Sequence, residues 1–322
     1  MKCRVILLLI ILCRTLLQLT GQETSYNPGY QTALMNNPAF TGSVEGDNLR
    51  LSYFNFLPGK SFNLHSFYVS YDSYFPVLHG GAGICVANDY MGSIVNDLRA
   101  TVSYSYFLRA SKDLYINAGL SAGLFRRGFN FRDAVFPDQI SIMGDISGFT
   151  SEILPDMNRA VLDISTGFLF IWQHIFSGIS ISHLTEPDLH GRHNRDERLR
   201  RKYLINTAAE VETGNRYDIK ARPLASLEIQ GAFVSGSAGA VFESENLSAG
   251  ILFIADNNKN IDIQPGFTIK AGSILFLYNY RLNLKSGESV LPLSVLHQTG
   301  IALNLNNVKK RLMVGTINLP RL

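Results

Sequence analysis

The chain has 322 residues, 17% of them charged and 46% hydrophobic, with 29 Lys and Arg against 26 Asp and Glu. Lys2, Arg4 and Arg14 all fall in the first 21 residues, so the remainder holds as many acids as bases and shows no basic excess that would point to nucleic acid. Of three cysteines only Cys85 lies beyond that stretch, which excludes an intrachain disulfide framework and a cysteine-based metal site.

Lys2 and Arg4 precede an apolar run from Val5 to Cys13, and Gly21-Gln22 offers a cleavage point. This is the layout of a secretory signal over residues 1–21, too short to span a bilayer. No interior segment reaches the roughly 18 consecutive apolar residues of a membrane helix. Residues 22–48 read as an amino-terminal lead-in that carries Met35-Asn36-Asn37-Pro38-Ala39-Phe40-Thr41-Gly42-Ser43, where Asn, Pro and Gly favour a tight turn before the first strand.

From there on the sequence alternates with a period of two. Leu98, Ala100, Val102, Tyr104, Tyr106 and Leu108 share one face, and Arg99, Thr101, Ser103, Ser105 and Arg109 the other. Residues 114–125 repeat the arrangement after the short turn Ala110–Asp113. Fourteen strands are predicted near 49–56, 62–75, 80–88, 98–109, 114–125, 161–172, 175–184, 203–212, 216–231, 234–243, 247–255, 261–271, 274–284 and 296–305. Several have the roughly ten residues a tilted strand needs to cross a bilayer.

Connections after odd-numbered strands are generally long, at 89–97, 126–160, 185–202 and 285–295, with Ala232-Phe233 as an exception. Those after even-numbered strands are short, as at Gln173-His174, Thr213–Asn215 and Gly272-Ser273. Long loops on one rim and tight turns on the other predict an all-β fold, a transmembrane antiparallel up-and-down β-barrel over residues 49–322 in the outer membrane, crossing it many times. An even strand number returns both chain ends to the periplasm. Tyr104, Tyr106, Phe125, Phe168, Trp172, Tyr278 and Tyr280 fit girdles at the membrane interfaces. A soluble sandwich gives the same local alternation; strand number and rim asymmetry argue against it.

Chemistry-bearing motifs are few. Gly119-Leu120-Ser121-Ala122-Gly123 matches the G-x-S-x-G pattern but lies inside an alternating strand, not at a strand-to-helix elbow, so Ser121 is read as part of a small-residue lumen face. His183, Asp188, His190 and His193 fall in a polar loop without the register of metal ligands. No catalytic, metal or cofactor site is assigned. Arg192, Arg195, Arg198, Arg200, Arg201 and Lys202 form a basic stretch suited to lipopolysaccharide phosphates or an acidic partner. Arg126, Arg127, Phe129, Phe131 and Arg132 open the long loop 126–160, whose length and apolar content suggest a partner-binding mouth.

The stretch Asn37-Pro38-Ala39-Phe40-Thr41-Gly42 resembles the amino-terminal signature of the PorP/SprF family, outer-membrane proteins of the type IX secretion and gliding machinery of Bacteroidota. The resemblance continues through Gly81 to Gly92, Ser105 to Leu108, Gly119 to Gly123, Gly178 to Thr185 and the step Val295-Leu296-His297-Gln298. It implies a non-enzymatic barrel that helps export or anchor a secreted substrate, often a large adhesin, through that substrate's carboxy-terminal signal domain. Outer-membrane lipid and other secretion components are further implied partners. On this resemblance the motif either turns the chain on the periplasmic side or plugs the lumen. A passive porin or small-solute transporter is the alternative reading.

Overall fold

A computed structural model of the chain describes residues 25–26, 29–44, 46–56, 64–92, 94–131, 134–140, 146, 150–151, 158–189, 198–214, 219–285, 296–305, 317 and 319–321. The signal segment 1–21 lies outside them. Fourteen strands form one antiparallel sheet: β1 Asp47–Phe56, β2 Leu64–Phe75, β3 Gly80–Met91, β4 Val95–Arg109, β5 Leu114–Phe129, β6 Arg159–Trp172 and β7 Ile175–Ser182. There follow β8 Lys202–Ala209, β9 Lys220–Gln230, β10 Phe233–Glu243, β11 Leu247–Asp256, β12 Ile261–Ala271, β13 Ile274–Lys285 and β14 Leu296–Leu305. Val211 and Glu212 extend β8 along β9.

The ring closes on itself. β14 pairs with β1 from Asp47↔Leu305 to Phe56↔Leu296. Each other strand pairs with its sequence neighbours on both sides, so no edge remains to expose unpaired N–H and C=O groups to hydrocarbon.

The period-two pattern fixes which face goes where. Val102, Leu120, Leu124 and Leu162 are 55–60% exposed on the outside, where lipid replaces water. Ser103, Ser105, Asn117 and Ser121 on the same strands are buried inside. Tyr104, Tyr106, Phe168 and Trp172 stand exposed on the outer face near the short-turn ends of β4 and β6, as an interfacial girdle requires. Phe125 does not join them. It points inward and is fully buried, because it sits one register position from outward Leu124.

Two connections are shorter than the sequence implied. Residues 89–97 are almost entirely strand, leaving only 92–94 between β3 and β4, and the long loop begins at residue 130. The polar residues that suggested loops face the lumen instead. Asp89 is paired with Arg99, and Arg127 Nε and Nη2 donate to Asp97 at 2.8 and 2.6 Å. Conversely β9 starts at Lys220, later than residue 216.

Leu120 lies mid-strand on the lipid face, opposite Tyr104 and Thr166. Leu120→Arg should lower the stability of the folded barrel by about 2–4 kcal/mol in guanidinium titrations in liposomes. Ser121→Ala, one position on and lumen-facing, should change it by less than about 1 kcal/mol.

Candidate functional site

The lumen is not empty. Residues 25–26 and 29–44 run inside the ring, with Tyr30–Thr32 and Pro38–Phe40 as 3-10 turns and Ala33–Asn36 as one turn of α-helix. Of the two placements open for MNNPAFTGS, the luminal one is what the structure has. The lead-in expected on the periplasmic side is a plug.

Each residue of the motif has a distinct job. The Asn37 side-chain oxygen accepts from the Ala39 N–H at 2.9 Å, which starts the 3-10 turn, and Pro38 supplies the fixed φ at its first position. The Asn37 amide donates to the carbonyls of Phe168 on β6 at 3.2 Å and Ile179 on β7 at 3.4 Å. Ala39 presses its backbone against Gly119, where any side chain would collide with Pro38 and Ala39. Phe40 is buried edge-on to Tyr30 and Phe176, with ring centroids 6.3 and 6.0 Å apart. Thr41 donates to Ser103 at 2.8 Å. Gly42 has φ +64° and lies against Gly81, so both steric and backbone demands require glycine there. Its N–H donates at 2.8 Å to Asp72, which also holds Arg50 at 2.6 Å.

The wall is built to receive this segment. Gly81, Gly119 and Gly167, on β3, β5 and β6, lie where an added Cβ would strike the plug, and at Gly178 on β7 it would strike Asn206 of β8 and crowd Asn37. Ser105 donates to the Ala39 carbonyl at 3.2 Å and Ser180 to the Asn36 carbonyl at 2.6 Å. The G-x-S-x-G match is therefore half of a docking surface, with Gly119 as the bed for the plug backbone.

Chain also packs at both mouths. On the long-loop side, Leu189 and Leu199 are buried over Phe125 and Val161, and Arg99 and Arg127 stack on Phe125 at 5.7 and 5.9 Å. On the short-turn side the carboxy-terminal tail tucks in. The Ile317 N–H donates to Ser43 O at 3.2 Å, Arg321 N–H to Glu243 at 2.8 Å, and the Arg321 guanidinium to Ser244 O and Glu245 O at 3.1 and 3.2 Å.

The sequence candidates divide. Arg126 is exposed on the outer face of β5, while Arg127 is committed to Asp97 inside and Phe129 stacks on Phe131 at 5.9 Å. Arg198 is exposed and its backbone pairs with that of Asp188, Arg200 is half-buried, and Arg201 is exposed with Nε donating to Leu184 O at 3.2 Å. Arg132, Arg192, Arg195, His190 and His193 lie outside the described residues. His183 is buried beside Asp163 at 2.8 Å, away from any loop cluster, because it follows directly on β7. Ser121, His183 and Asp163 line one cavity of about 30 Å³ under Leu34 and Met35. That is room for one or two waters, not for a substrate. Sequence reasoning missed Asp163, Asp72 and the wall glycines, whose spacing gives no sign of what they face.

The family described as "Type IX secretion system membrane protein PorP/SprF" matches residues 20–295, which include the plug and β1 to β13. The chain belongs to the PorP/SprF family. It is an outer-membrane barrel of the type IX secretion system, a family of secretion components and not of enzymes, and membership associates it with other components of that system. No curated protein sequence matches it significantly. Among solved barrels, the Pseudomonas putida toluene transporter TodX is similar over 88% of this chain and 94% of its own, at 12% identity and a TM-score of 0.50. A TodX deletion mutant described as a monoaromatic hydrocarbon channel covers 89% and 96%, at 12% identity and 0.51. The Acinetobacter baumannii outer membrane protein Omp33 covers 82% and 100%, at 7% and 0.48. At such identities the likeness concerns the fold.

Two outcomes follow for this PorP/SprF barrel. Phe40→Ala should cost about 3–5 kcal/mol in chemical unfolding, since the ring has no solvent to relax into. Deleting residues 25–43 should give step conductances in planar bilayers that the full chain lacks; equal, silent traces would show that the plug does not seal the lumen.

Proposed function

We propose that the protein retains or helps export a secreted type IX substrate of the adhesin kind at the cell surface, gripping its carboxy-terminal signal domain with the long-loop mouth. In this reading the long loops face outward and the short turns face the periplasm, as an even-stranded barrel delivered from the periplasm adopts. The observation that carries it is the filled lumen. A barrel whose mid-lumen holds a segment of its own chain is ill suited to pass a solute, so its outer surfaces are what remain for function. The same fact argues against a passive porin.

The long loop 130–158 is the largest candidate surface. Phe131 packs at 6.1 Å on Phe136, and Ile140 bridges to Ile146. Val135, Ile140 and Ile146 are 49, 53 and 63% exposed. Asp138 staples the loop by accepting from the Ser151 N–H at 2.6 Å, the Ser151 hydroxyl at 2.9 Å and the Thr150 hydroxyl at 3.0 Å. These bonds, the Ser151 N–H foremost, hold the Asp138 carboxyl below its usual range. A depressed carboxyl stabilises the loop above the ordinary Asp range, and that contribution is lost as pH falls through the lowered value. The staple therefore persists at neutral pH.

Deleting residues 133–155 should leave a heat-modifiable, membrane-inserted barrel and abolish surface retention of its cognate adhesin. Normal retention would refute this surface, and failure to insert would show that the segment belongs to the wall. Replacing Arg198, Arg200 and Arg201 together with Ser should weaken binding of detergent-extracted protein to lipid A if these guanidiniums hold phosphates; unchanged binding assigns the stretch no lipid role.

A further inference from the structure

We infer that the amino-terminal segment enters the lumen from the long-loop mouth, so that the mature amino terminus opens on the side that carries the long loops. Three anchors place its start. The Tyr26 hydroxyl bonds to Asp89, two residues before β3 ends at Met91, and its ring lies 5.5 Å beneath the Arg99 guanidinium. The same ring meets Phe54, two residues before β1 ends, at 4.9 Å edge-on. The Ser25 hydroxyl donates at 2.9 Å to Glu228, two residues before β9 ends at Gln230. All three strand ends belong to the long-loop rim.

The other end of the segment is at the opposite rim. Gly42 lies on Gly81, the second residue of β3, and Ser43 accepts from Ile317 of the tail. Strand termini Asp47 and Leu305 thus share the short-turn rim, as the even count demands, while Ser25 does not. Both chain ends on the periplasmic side, the expectation from strand number alone, counts only the barrel staves.

Chain length completes the argument. Cleavage at Gly21-Gln22 leaves three residues ahead of Ser25, which reach roughly 10 Å when fully extended. From Glu228 back to the start of β9 at Lys220 is about 27 Å of strand. With cleavage there, three residues are too few to carry the amino group back to the short-turn rim. Ser25 is half-exposed whereas Tyr26 is 3% exposed, so accessibility rises toward that mouth. With the outward orientation of the long loops proposed above, on which this rests, the amino terminus forms part of the surface that a partner outside the cell meets.

The test uses single cysteines in the full chain with Cys85→Ser. Ser25→Cys and Arg198→Cys should react with a membrane-impermeant maleimide on intact cells, and Val77→Cys, 90% exposed on the β2–β3 turn, only after permeabilisation. Ser25→Cys reacting only after permeabilisation while Arg198→Cys reacts on intact cells overturns the inference. Reversed behaviour of Arg198→Cys and Val77→Cys refutes the orientation instead. A cross-linked pair settles the threading independently of orientation. Ser25→Cys with Glu228→Cys should be joined by a short bis-maleimide cross-linker and Ser25→Cys with Ser244→Cys should not; absence of the first or presence of the second overturns it.

Discussion

Everything in this molecule follows from the requirement that no backbone N–H or C=O be left unpaired in hydrocarbon. Closure of β14 onto β1 meets that requirement for the wall and thereby creates an interior. An interior lined by Asp72, Asp89, Asp97, Arg50, Arg99 and Arg222 is then a second problem, because these groups need either water or partners. The protein answers with partners. Arg50–Asp72, Arg99–Asp89 and Arg127–Asp97 each cross-link adjacent strands, and Arg222 reaches Glu210 at 2.5 Å and Glu243 at 2.8 Å. Charge is neutralised within the wall, which lets a nearly uncharged segment occupy the centre.

The plug carries its own backbone polar groups into that interior, and short turns satisfy only some of them. Others are met by wall side chains: Ser105 and Ser180 reach carbonyls, and Asp72 reaches the Gly42 N–H. Asn37 works in the reverse sense, reaching wall carbonyls from the plug. Glycines in the wall let the two backbones approach closely enough for these bonds to form. Polar satisfaction and close packing therefore depend on the same residues, and a side chain at Gly119 or Gly167 would break both at once.

The wall was legible in the sequence because its rule is local. Alternation assigns a face to every second residue, and the predicted starts and ends of β12 and β14 coincide with the observed ones. The two connections read as too long share one cause. At 89–97 and at Arg126–Phe129 the strands continue past the membrane-like pattern with charged inward residues, and a charge reads as a loop unless its partner is known. Arg127 finds Asp97 thirty positions away, and Asn37 finds Ile179 across 142 positions. Contacts of that separation leave no trace in spacing. The plug was visible only as a turn, since local chemistry explains why Asn-Pro-Ala-Phe-Thr-Gly bends but not what it bends against.

The lumen holds packed chain at three levels. Leu189 and Leu199 pack at one mouth, the plug occupies the middle, and Ile317 and Arg321 bond at the other. Opening a path would expose the buried ion pairs and strip the Phe40 cluster of its partners together, because the segment that would have to leave supplies contacts to β3, β4, β5, β6 and β7. A plug tied to so many staves behaves as a core. The barrel gains a packed interior along the course of that segment.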